Sequence, residues 1–158
     1  MRAQRTITVR MAAAGATALA LGLATTAALS GTASGQGQSH LAHVRAVTAA
    51  YHDVDDAVEA GYVDLALCFD QMGEHYGRPT EIDGVLDASA PEALVYAHVG
   101  DRLKLVAVEY VATGPGEVLG LPLHYNPTVN LWVLHAWVWM HNADGMHEDF
   151  NPNVGDCP

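Results

Sequence analysis

The stretches ALVYAHV (93–99) and RLKLVAVEYV (102–111) are separated only by Gly100 and Asp101. Two runs rich in β-branched and aromatic residues, joined by a two-residue turn of this composition, read as an antiparallel hairpin. If Val99 faces Arg102, simple alternation puts Leu94, Tyr96 and His98 on one face together with Leu103, Leu105, Ala107 and Glu109. Both faces are largely apolar, so the hairpin requires cover on each side.

The flanking chain supplies that cover. From Ser39 to Ala60 the apolar residues Leu41, Val44, Val47, Tyr51, Val54 and Val58 recur at spacings of three and four, which predicts one long helix ended by Gly61. Residues 61–92, rich in Gly, Asp and Pro, read as loop with one short strand around Val63–Phe69. The segment TGPGEVLGLP reads as a further loop, and LWVLHAWVW (131–139) as the last strand. The resulting class is α+β: one long N-terminal helix packed on a small antiparallel β-sheet.

At the N-terminus, Arg2, Arg5 and Arg10 precede MAAAGATALALGLATTAALSG, a run too short and too alanine-rich for a spanning helix. This is the pattern of a secretory signal peptide over residues 1–34, with cleavage expected near residues 30–34 and no twin-arginine pair. Residues 35–158 then form a single globular domain, secreted or otherwise extracytoplasmic. Three of the seven basic residues leave with the signal peptide, so four remain against 18 acidic ones, a net charge of about −14. Such a field repels nucleic acid and anionic membranes and attracts cations. After cleavage, no segment is long enough to insert into a membrane. Cys68 and Cys157 are the only cysteines, and an oxidising compartment predicts their disulfide.

Two polar residues sit where apolar ones are expected. Alternation through Leu131, Val133, His135, Trp137 and Trp139 places an imidazole among aliphatics and indoles, whichever face points inward. Glu109 continues an apolar hairpin face, where a carboxylate is desolvated unless a cation, a proton or strong donors attend it. Convergence of the two would satisfy both. His75, between glycines in MGEHYG, and His124, between prolines in LPLHYNP, are further candidates from loops. His75, Glu109, His124 and His135 together make an N/O donor set suited to one divalent transition metal: Zn, Cu, Mn, Ni or Fe. The alternative is a buried hydrogen-bonded His/Glu network with no metal.

Other schemes find less support. There is no G-x-S-x-G elbow, no phosphate-cradling glycine loop and no H-E-x-x-H spacing. His40 and His43 lie in a first helical turn, and the tail HNADGMHED lacks the EF-hand pattern although His141, His147, Glu148 and Asp149 could attract a cation. Glu92 would face Glu109 as an acid–base pair only if the hairpin pairing extends that far, and after Pro91 it reads better as a strand end. A ligand pocket built from Trp132, Trp137, Trp139, Tyr76 and Tyr125 competes with plain core packing, since alternation sends the tryptophans to opposite faces.

AGYVDLALC, MGEHYG, PEALVY, LVAVEYV and LHAWVWMHNADGMHEDFNP resemble a group of exported bacterial single-domain proteins of uncharacterised activity. The resemblance spans most of residues 35–158 and implies export and one domain; it implies no substrate and no ligand. The expected function is therefore an exported metal-binding domain whose partner is a metal ion or small molecule, catalytic if a coordination position stays open beside Tyr76 or Tyr125. A non-enzymatic binding or structural module is the alternative.

Overall fold

The computed structural model describes residues 27–158, with side chains from Gly35 onward. The signal peptide expected over residues 1–34 lies outside the described residues, apart from helical backbone over 27–34.

The single helix expected over Ser39–Ala60 is broken. Helix α1 (Ala27–Thr48) runs into a 3-10 turn at Ala49–His52, and helix α2 (Val54–Glu59) follows. Asp53 causes the break: its backbone is extended (φ −90°, ψ 129°), and its side chain accepts the N–H of Asp55 to cap α2. The interruption rotates the apolar stripe, so that Ala57 is buried while Val58 is half exposed. Gly61, at φ +95°, ends the helical stretch. The expected packing of a long helix along the sheet is not what forms. From α1, Leu41, Val44 and Thr48 are buried, and most of its other described residues are exposed.

The sheet is larger than the sequence suggested. Its strands are β1 (Val63–Phe69), β2 (Gly73–Gly77), β3 (Ala93–Val99), β4 (Arg102–Ala112), β7 (His124–Asn126) and β8 (Leu131–Ala136). They are arranged β1-β2-β3-β4-β8-β7, and every neighbouring pair is antiparallel. A separate two-stranded ribbon, β5 (Glu117–Val118) with β6 (Leu121–Pro122), turns through Leu119 and Gly120 at φ 58° and 76°. The α+β class holds, with the sheet dominant.

Strand β2 was hidden by its glycines, which weaken any strand reading. They do not make the tight turns expected around His75; they allow close approach. A Cβ on Gly73 would collide with the Tyr96 carbonyl, and one on Gly77 would sit 2.8 Å from Leu65 Cδ1. His75 is consequently a strand residue opposite Val95.

A β-bulge decides which way Glu109 points. The hairpin turns at Gly100 and Asp101 as expected, with Val99 opposite Arg102 and Tyr96 opposite Leu105. Beyond that point Val95 pairs with Ala107, so Val106 is an extra residue and the alternation of β4 is offset. The expectation that Glu109 shares the face of Leu103 and Leu105 is therefore corrected. Leu94, Tyr96, Leu105, Val108, Tyr110 and Leu134 pack in one core together with Leu41, Val44 and Ala57. Ala107, Glu109 and Val111 point to the opposite face.

That second face carries two apolar clusters. Val95, Ala97, Val106, Ala107, Trp137 and Val154 form one, and Ala93, Val111 and Val133 form the other. The last strand stops at Ala136 instead of reaching Trp139, because Trp139 and Met140 both donate their N–H to the carbonyl of the bulged Val106. The C-terminal tail then folds over the second face. It is held by Trp137 N–H to Met146 O (3.0 Å), Asn151 N–H to Gln71 O (2.7 Å) and the Cys68–Cys157 disulfide. Among the described residues, no helix is long and apolar enough to cross a membrane.

Glu92, at the entry to β3, is 2% exposed and accepts the N–H of Val111 through Oε2 (3.0 Å). Burial pushes its carboxyl up to about 7, against the pull of that N–H. The folded state thus binds this proton more tightly than the unfolded chain does. Its contribution is complete below the unfolded value of 4.5 and is lost as pH rises through about 7. Replacing Glu92 by Gln should remove a loss of ~3 kcal/mol between those limits. In urea unfolding, the gap between variant and wild type should widen from pH 4.5 to 7.5; a constant gap would refute the assignment.

Candidate metal centre

The register brings three of the four candidate side chains together. Glu109 lies opposite His135 across the β4–β8 pair, and opposite Ala93 across β3–β4. His75 opposes Val95, one strand further on. All three residues are buried on the second face, with Glu109 between Ala107 and Val111 on β4 and His135 between Val133 and Trp137, the latter just past the end of β8. Their ligating atoms lie within 4.8 Å of one another, and among the described residues this is the one cluster of three or more His, Cys, Asp or Glu with that geometry.

The hydrogen bonds around the cluster aim it inward. His75 Nδ1 lies 3.2 Å from the carbonyl of Leu67, which can only accept, so this nitrogen carries the proton and Nε2 offers a lone pair. His135 Nδ1 lies 3.2 Å from Asp149 Oδ1 and donates in the same way. Both Nε2 atoms then face Glu109, His75 at 3.6 Å from Oε2 and His135 at 3.6 Å from Oε1. These separations are too long for good hydrogen bonds. They suit ligands of one ion, since two atoms each 2.1 Å from a tetrahedral metal are ~3.4 Å apart. His135 Nε2 is fully buried and has no hydrogen-bond partner. An orphaned polar atom in such a place costs ~1–3 kcal/mol unless a ligand satisfies it.

The two imidazoles differ electrostatically. Burial lowers the proton affinity of His75, with Glu109 opposing and His135 reinforcing that effect, and holds it below the ordinary imidazole range. Burial works against charge on His135 too, but Glu109 and Asp149 together outweigh it and raise its affinity. Asp149 is held below the usual carboxylate range because the His135 and His124 interactions outweigh its burial. An arriving cation would displace the proton from His135, as imidazole ligands must be deprotonated.

His124 stands outside the three-residue cluster. On β7, with its side chain 45% exposed, its Nε2 donates to Asp149 Oδ2 at 3.0 Å. It therefore joins the cluster indirectly, by fixing the carboxylate that orients His135. Asp149 itself is the residue that the sequence reading missed as part of the centre: it lies in an acidic, turn-rich tail, a setting that usually means a solvated surface. His147 donates through Nδ1 to the His135 carbonyl (2.8 Å), which fixes the backbone at the end of β8.

The remaining sequence candidates are placed elsewhere. His43 bonds Ser89 at the surface through Nε2 (2.8 Å). Tyr76 faces the first core beside Tyr96, and Tyr125 is exposed against Trp132, so neither lies beside the centre as expected. Trp132 and Trp139 pack against the first core and Trp137 within the second face, so the three tryptophans line no common pocket. Compared with protein-family models, with curated proteins and with solved structures, the chain matches none.

Proposed function

We propose that this chain is an exported protein that holds one divalent transition metal through His75 Nε2, Glu109 and His135 Nε2, with Asp149 and His124 as outer supports. The observation that carries the reading is the orphaned, fully buried His135 Nε2 facing Glu109 at 3.6 Å, beyond hydrogen-bond length. A purely hydrogen-bonded network would close that gap. Two imidazoles and a carboxylate suit Zn²⁺ with a fourth, exchangeable position, or Fe²⁺ in a two-histidine, one-carboxylate triad. In either case the protein supplies three ligands and leaves room for a water or substrate that the ion can polarise. Export fits the signal-peptide pattern, and the Cys68–Cys157 disulfide is compatible with an oxidising compartment.

Melting untagged protein with excess Zn²⁺ and with a chelator tests this reading. The bound ion should stabilise the fold by ~2.7 kcal/mol at a free concentration one hundred times Kd. Equal melting temperatures in zinc and in chelator would reject it. Replacing Asp149 by Asn keeps the shape but weakens the hold on His135, and should cost 10- to 100-fold in zinc affinity, as such outer partners typically do. Unchanged affinity would remove Asp149 from the centre.

A further inference from the structure

Of the three proposed ligands, His75 and Glu109 also line a cavity of about 70 Å³, while His135 does not. An ion held by these three ligands would therefore border this cavity on the side of His75 and Glu109. Its deep end is formed by the buried Ala93, Val111 and Val133, and its half-buried rim includes Ile82, Val129 and Leu131. Among the described residues that line it, Asn126 is the one polar side chain besides His75 and Glu109, and there is no Lys or Arg. A sugar or a multiply charged molecule would lose hydrogen bonds on entering such a space. A volume of 70 Å³ holds about five waters, or a ligand of a few heavy atoms.

We infer that the cavity selects a small aliphatic molecule bearing one oxygen donor group, which ligates the ion while its hydrocarbon end lies against Val111, Val133 and Leu131. This rests on the metal-binding reading above. The donor supplies the polar contact, and the apolar wall makes affinity depend on chain length. Oxygen ligands without an aliphatic tail should bind weakly.

The test is a calorimetric titration of the zinc-loaded protein with aceto-, propano- and butanohydroxamate, confirming afterwards that zinc is still bound. Affinity should rise about fourfold for each added methylene. Val129→Trp fills the rim without touching a ligand, and it should keep zinc while losing the dependence on chain length. Should that variant fail to fold, Ile82→Trp narrows the same rim from another segment. Zinc-loaded wild type with flat affinities, or a filled variant that retains the trend, would overturn the cavity assignment and leave the metal centre standing. Failure to load zinc at all would overturn both.

Discussion

Replacing Glu109 by Gln is expected to weaken zinc binding by more than the ~100-fold that replacing an outer partner reaches, so that zinc no longer makes the variant more stable than the chelated variant. The two halves of that result have one cause. In the native arrangement a carboxylate and two Nε2 atoms confront each other at 3.6 Å in a buried space. A carboxamide has the same shape, carries no charge and can donate its N–H₂ to the unpartnered His135 Nε2. The substitution therefore keeps the shape of the site while it removes a ligand, and it also removes a charge that raises the proton affinity of His135. A structural network without metal makes a different prediction. There zinc would stabilise neither protein, and the loss of Glu109 should cost the same stability with zinc as with chelator. Zinc titration and urea unfolding of the same two samples distinguish the outcomes.

Removing the disulfide should have the largest effect on stability. Cys68 and Cys157 are 89 residues apart, a loop whose closure contributes ~4–5 kcal/mol in the chain-entropy model. The paired Cys68→Ala, Cys157→Ala variant should melt on the order of 15 °C lower than oxidised wild type. The bond also bears on the centre. Cys68 follows Leu67, whose carbonyl orients His75, and the tail that it anchors carries Asp149. Zinc affinity should consequently fall with stability in this variant, even below the melting transition. A variant that loses stability but binds zinc as wild type does would show that the tail is held in place by its other contacts, such as Asn151 to Gln71.

These expectations depend on features that were unequally legible in the sequence. The hairpin and its turn could be read because Gly100 and Asp101 are strong local signals between two apolar runs. His135 and Glu109 stood out because each is a polar residue in a position whose neighbours are apolar, and the register places them directly opposite one another. The bulge at Val106 was not legible: Val106 is as good a β former as its neighbours, and only pairing with β3 shows that it is the extra residue. Without it, alternation sends Glu109 to the wrong face. Strand β2 was concealed because its glycines satisfy close packing against Tyr96 and Leu65, a tertiary requirement that composition reads as a loop. The helix break depends on Asp53 acting as a cap, one acidic residue among several in that stretch. Asp149 could have been noticed only through the geometry that folds an acidic tail back over a buried imidazole.

The central claim is that the buried imidazoles and carboxylate converge to share a cation. The most direct measurement is elemental analysis of untagged protein, purified from an exporting host, equilibrated with Zn²⁺ and freed of excess metal by gel filtration. One equivalent of tightly held transition metal per chain, absent from the Glu109→Gln protein, is the predicted result. Less than a tenth of an equivalent in the wild type, or the same content in both proteins, would contradict it.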